Sequence, residues 1–139
     1  MSREKYKAAA ERWFAQAGAD LRAANGSARN QSYEWACFQA QQAGEKALKA
    51  LWYSYVQEPW GHSLTRLILD FPTADLHGRL QGLLPQAKKL DKLYIPTRYP
   101  NGLPDLIPAE VFTGDEAQSA ILAAQQLLAD VRAMMNSAS

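Results

Sequence analysis

Residues 33–56 read YEWACFQAQQAGEKALKALWYSYV. Trp35, Phe38, Gln42, Glu45, Leu48, Trp52 and Tyr55 recur at steps of three and four, the period of one helix face. The second half is apolar almost all round, with Ala47, Leu48, Ala50, Leu51, Trp52, Tyr53, Tyr55 and Val56. A helix with that distribution lies at the centre of a bundle or is shared with a second subunit. Ser32 stands where an N-cap is needed.

The flanking sequence supplies the helices that such a centre requires. Upstream, Tyr6, Ala10, Trp13, Ala17, Leu21 and Ala24 form the stripe of a helix over 4–25, and Asn25-Gly26 reads as its stop. Residues 27–31 are a short polar link. Downstream, Pro59-Trp60-Gly61 breaks the pattern, and Ser63 can cap a short helix over 64–70 that Phe71-Pro72 ends. Thr73 can cap a further piece to about Leu80. Another helix is expected from Leu83 or Pro85 to Tyr94, with Pro85 in its first turn. Leu83, Ala87, Leu90 and Tyr94 form its apolar face, and Lys88, Lys89 and Lys92 a basic one. Residues 96–108 contain four prolines and should be an extended loop. Thr113 and Glu116 form a capping box that opens a last helix to about Met135. No strand-like alternation and no repeat is present. The reading is one all-α domain over 1–139: an up-and-down bundle of four to five helices with a long Pro-rich loop before the last one.

Composition narrows the function classes. The chain has 139 residues, 47% hydrophobic and 21% charged, enough for a core without disulfides or metal. Net charge is +1, so any anion site must be a local patch. The lone Cys37 lies in an apolar helical stretch and reads as a small buried hydrophobe. No secretory signal and no membrane-length apolar run is evident, so a cytoplasmic setting is expected. Gly-rich phosphate loops, GxSxG, HExxH and Cys/His clusters are all missing. No cofactor or metal is expected, and His62 and His77 have no evident ligand partners. Two stretches remain. QQAGEKALK, residues 41–49, puts Gln42, Lys46 and Lys49 on one face. It also sets Glu45 and Lys49 as an i,i+4 pair worth about 0.3–0.5 kcal/mol if exposed. KKLDKLYIPTRYP, residues 88–100, places Lys88, Lys89, Lys92 and Arg98 near Tyr94 and Tyr99. Cations beside aromatic rings suit phosphate and base contacts. Both patterns also suit ordinary solvated surface, so neither is specific alone.

In this order, the two stretches resemble the HEPN domains, the nucleotide-binding domains of higher eukaryotes and prokaryotes. The resemblance spans about 130 residues. It begins with Trp13, Ala17, Asp20-Leu21 and Ala24, then Tyr33, Ala36 and Phe38. It continues through Gln41-Gln42-Ala43, Glu45 to Ala50, Gly61-His62-Ser63-Leu64, Leu90-Asp91, Tyr94 and Thr97-Arg98-Tyr99-Pro100. Glu116-Ala117 and Ala120 close it. The chain looks most like stand-alone prokaryotic members and the domain that ends the large protein sacsin. The resemblance implies a four- to five-helix bundle, commonly a homodimer. It implies one of three functions: binding of a nucleotide or other polyanion, partnership with a minimal nucleotidyltransferase in a toxin–antitoxin pair, or RNA cleavage. Cleavage in many members is carried by an Arg followed after four to six residues by His. Tyr55, Val56 and Gln57 stand at those positions before His62, and Asp70, Phe71 and Pro72 before His77. The resemblance thus favours a binding member. Lys46, Lys49, Lys92 and Arg98 would supply charge, Tyr94, Tyr99 and His62 would shape the pocket, and Asp91 would either hold Arg98 or stand as a simple surface acid.

Overall fold

Ser2, Ser63 and Thr113 start helices by one device. Each hydroxyl accepts a backbone N–H three residues on, from Lys5, Arg66 and Glu116. A computed structural model describes residues 1–138. Its helices are α1 (Arg3–Arg29), α2 (Tyr33–Ser54), α3 (Leu64–Leu69), α4 (His77–Gln81), α5 (Leu84–Asp91), α6 (Pro108–Val111) and α7 (Gly114–Asn136). Short 3-10 turns occupy Ala74–Leu76 and Pro100–Gly102, and there is no strand among the described residues. None of these helices is long and apolar enough to cross a membrane.

The core is built around α2, with α1 and α7 against it and α3 and α5 closing the remaining side. The buried residues of α1 are all alanine: Ala9, Ala10, Ala17 and Ala24. Ala10, Ala17 and Ala24 recur every seven residues, and α2 answers with Ala36, Ala40, Ala43, Ala47 and Ala50. Small side chains on both faces let the two backbones approach closely, which multiplies dispersion contacts. Bulk comes from the other side, where Leu48, Leu51, Leu64, Leu90, Ile121, Leu127 and Met134 are fully buried. Trp52 Nε1 donates to the Leu67 carbonyl at 3.0 Å, so α2 and α3 are pinned as well as packed. Arg132 of α7 grips Glu11 of α1 with two bonds of 3.1 Å, and these hold the Glu11 carboxyl below its usual range. Cys37 is buried, and desolvation pushes its thiol up to about 12.

Several boundaries differ from the sequence reading. α1 does not stop at Asn25-Gly26 but continues to Arg29, and the left-handed residue beyond it is Gln31, with φ 63°. Tertiary packing overrides the local signal: Ala24 and Ala28 lie against the core, and the Gln39 amide sits 2.7 Å from Ser27 Oγ. Ser32 and Thr73 occupy N-cap positions without making a side-chain cap bond. α2 ends at Ser54, before Val56 turns left-handed with φ 60°. α5 ends at Asp91, so Tyr94 sits in a turn rather than on the helix. The Pro-rich segment holds the Pro100–Gly102 turn, and Pro108 opens α6. The Thr113–Glu116 capping box and the placement of Pro85 in a first turn are as read. In the apolar second half of α2, Ala47, Leu48, Ala50, Leu51 and Trp52 are buried by the chain's own helices, while Tyr53, and Tyr55 and Val56 just beyond the helix, are half-buried. Of the two positions that such a helix can take, the buried part takes the centre of the bundle.

Gly26 and Gly44 make opposite tests of this packing. A Cβ on Gly26 would meet only the Arg29 guanidinium, at 3.8 Å. A Cβ on Gly44 would come within 2.7 Å of Leu64 and 2.9 Å of Leu90, where α3 and α5 cross α2. Gly26→Ala should stabilise the fold by about 0.5–1 kcal/mol, or roughly 2–5 °C in Tm. Gly44→Ala gains the same propensity but incurs about 1–3 kcal/mol of overpacking, so it should melt below Gly26→Ala. Equal melting temperatures in thermal denaturation would contradict the packing described.

Candidate functional site

Gln41 and Glu45 lie one turn apart on α2, 0% and 3% exposed. A buried carboxylate must find partners, because the interior does not solvate it. Glu45 Oε1 accepts Gln41 Nε2 at 3.2 Å and Gln42 Nε2 at 3.5 Å. Glu45 Oε2 takes Lys49 Nζ at 3.0 Å and faces His62 Nδ1 at 3.2 Å. Gln42 Nε2 also donates to Gln41 Oε1 at 2.8 Å, and Gln41 Nε2 reaches the His62 carbonyl at 3.5 Å. Lys49 is itself 9% exposed and sits 5.5 Å above the Trp13 ring. The Glu45–Lys49 pair is thus an interior pair, and the small value for an exposed pair does not apply to it.

The loop that delivers His62 turns at Gly61, whose φ of 85° favours glycine. Beyond it, the Asp91 carboxylate reaches across from the end of α5. It accepts the Leu64 N–H at 2.7 Å, the Thr65 N–H at 3.0 Å and the Ser63 hydroxyl at 3.0 Å. A six-residue helix leaves most of its N–H groups unpaired, and Asp91 satisfies two of them. Asp91 therefore caps α3 and does not hold Arg98.

The His62 ring stacks on Tyr94, with centroids 4.9 Å apart and planes 20° from parallel. With Nδ1 facing a carboxylate, the proton belongs on Nδ1, and Nε2 has no protein partner among the described residues. Arg98 approaches the same tyrosine. Its Nε donates to the Tyr94 carbonyl at 2.9 Å, and its guanidinium carbon lies 4.3, 4.6 and 5.1 Å from the Phe38, Tyr94 and Tyr99 rings. Buried Thr97 fixes this turn by donating its hydroxyl to the Leu93 carbonyl. Among the described residues no carboxylate pairs with Arg98, and its two terminal nitrogens donate to no side chain or backbone. A planar cation framed by three rings can present two parallel N–H groups to an oxyanion.

Of the residues expected at the site, His62, Tyr94, Arg98 and Tyr99 come together, and Lys49 joins them through Glu45. Lys46 does not: it pairs with Asp20 of α1 at 2.7 Å. Lys92 borders a separate groove of about 460 Å³ between α5 and α7, beside Lys89, Phe112 and Ser119. The convergence of helix-two lysines on Arg98 is therefore replaced by one unpaired cation and a neutralised pair behind it. His77 Nε2 lies 3.0 Å from the Phe71 carbonyl, a structural contact. Sequence reasoning missed Gln41, Glu45 and Phe38 as site-forming residues. The available signal was polar Gln42 and Glu45 falling on an otherwise apolar stripe, which marks a buried network.

Removing the carboxylate exposes how much depends on it. Glu45→Ala leaves Lys49 interior without a counter-charge and should cost roughly 3 kcal/mol or more. Adding Lys49→Met should restore part of that loss. Urea denaturation of the single and double variants measures both, and a double variant no more stable than the single one would refute the pairing.

Among solved structures, the chain is similar to TT1696 from Thermus thermophilus, with 43% identity and a TM-score of 0.81 over 90% of this chain and 97% of that one. It is also similar to ST0689, an archaeal HEPN homologue, with 36% identity and a TM-score of 0.74 over 91% and 97% of the two chains. A HEPN domain protein from Thermotoga maritima, TM0613, shows 25% identity and a TM-score of 0.66 over 90% and 98%. No curated protein matches the chain. The HEPN domain model matches residues 10–134. By that match and by its likeness to these structures, the chain belongs to the HEPN domain family.

Proposed function

We propose that this protein is a HEPN-type binding module that holds a nucleotide or another phosphate-bearing ligand and works as a homodimer. One observation carries the reading: Arg98 has no acidic partner among the described residues and is framed by Phe38, Tyr94 and Tyr99, with His62 stacked on the same Tyr94. Its guanidinium fork suits paired phosphate oxygens, and the rings suit a planar group. His62 Nε2 adds a second polar atom, an acceptor when neutral and a donor when protonated. Homodimerisation is supported by exposed apolar side chains around the site: Trp35 on the first turn of α2, whose ring centroid lies 6.1 Å from that of Phe38, and Tyr99, which frames Arg98 together with Phe38; Ile95, Leu106 and Ile107, before α6, are exposed as well. Exposed apolar side chains that adjoin one another in a patch mark interaction surfaces.

The same exposed residues favour a second reading, in which the partner is a minimal nucleotidyltransferase and this chain is its non-catalytic or toxin subunit. RNA cleavage ranks below both, since no Arg precedes His62 or His77 at the family spacing.

Calorimetric titration of ATP and GTP into the wild type and Arg98→Ala tests the binding reading. Loss of a charge-assisted contact should weaken binding by about 1.5–3 kcal/mol. A folded Arg98→Ala protein that binds like the wild type would move the site elsewhere, and a wild type that binds neither nucleotide would favour the partner reading. Light scattering at micromolar concentration should give twice the 15.4 kDa of one chain. A monomer mass would remove the homodimer.

A further inference from the structure

Trp60 is the most exposed large apolar residue of the described chain, at 82%. It stands in the loop between α2 and α3, beside a cleft of about 230 Å³. Trp52 and Leu67 line this cleft along with Trp60, and His62, Arg66 and Asp70 contribute its polar groups. Trp52 Nε1 is already bonded to the Leu67 carbonyl. The indole thus offers the cleft carbon surface rather than a donor. Arg66 and Asp70 are bound to each other through one guanidinium nitrogen and one carboxylate oxygen. Their remaining N–H groups and lone pairs supply both donors and acceptors at the mouth.

We infer that this cleft takes the nucleobase of the ligand whose phosphates Arg98 holds, an inference that rests on the binding reading above. Size, chemistry and continuity argue for it. The cleft is smaller than the roughly 300–1,000 Å³ of a site for a whole drug-sized ligand, so it suits one ring system. Indole faces accept any base by stacking, while the Arg66–Asp70 pair can meet the mixed donors and acceptors of a base edge. His62 belongs to both places: it lines the cleft and stacks on Tyr94 at 4.9 Å, and Tyr94 lies 4.6 Å from the Arg98 guanidinium carbon. His62 and Tyr94 therefore link the two subsites. The fitting ligand carries a planar ring at one end and phosphates at the other, as a nucleoside di- or triphosphate does.

The test compares ATP and GTP with inorganic tripolyphosphate by calorimetry on the full chain, Trp60→Ala and Arg98→Ala. Because Trp60 is largely in solvent, Trp60→Ala should melt like the wild type. It should bind ATP and GTP about tenfold more weakly and tripolyphosphate unchanged, whereas Arg98→Ala should lose affinity for all three. Intrinsic tryptophan fluorescence should change on adding nucleotide to the wild type, and this change should be much reduced in Trp60→Ala. If Trp60→Ala binds both nucleotides like the wild type while Arg98→Ala does not, the base subsite is wrong and the phosphate site stands. Tripolyphosphate binding the wild type as tightly as the nucleotides would equally remove the base subsite and leave the phosphate site in place. If the wild type binds none of the three, both the subsite and the binding reading fall.

Discussion

The Glu45 carboxylate governs the arrangement of this bundle. An unpaired carboxylate in a protein interior costs several kcal/mol even after relaxation, so its partners are structural requirements. Three come from its own helix, Gln41, Gln42 and Lys49, and the fourth, His62, comes from a loop. The bond to His62 places the loop between α2 and α3. The loop in turn places the ring that Tyr94 stacks upon, and Tyr94 anchors Arg98 through its carbonyl. One buried charge thereby organises polar groups from three separate stretches of chain.

The alanine seam has the complementary role. Between α1 and α2 the buried side chains are mostly alanine, so the two backbones draw together and the side of α2 that carries Leu48 and Leu51 is left to α3, α5 and α7. Trp13 and Leu21 of α1 are only partly buried at the edges of that seam. Trp13 there lies beneath the Lys49 ammonium, which gives the buried ion pair an apolar lid with a negative face.

Local signals were legible in the sequence, and signals that depend on who packs against whom were not. Ser63, Thr113 with Glu116, and Pro85 act within one helical turn, and each is where its chemistry places it. Gly26 carries an equally local stop signal, yet contacts from Ala24, Ala28 and the Gln39 amide outweigh it. Glu45 and Lys49 have the same i,i+4 spacing inside a protein as on its surface, so spacing could not tell which applied. The family resemblance led to His62, Tyr94 and Arg98, but Phe38 meets Arg98 from 60 residues away. Asp91 looked like a neighbour for Arg98 because only seven residues separate them, whereas its bonds go to residues 63–65.

That distant cap has a consequence for motion. α3 is six residues long, too short to persist alone, and its first N–H groups are tied to a side chain on α5. The His62 loop, α3 and the end of α5 should therefore open together as one cooperative unit. Hydrogen exchange at the Leu64 and Thr65 amides would then report on the release of Asp91 rather than on fraying of α3. A ligand bridging His62 and Arg98 would slow that exchange at residues it never touches.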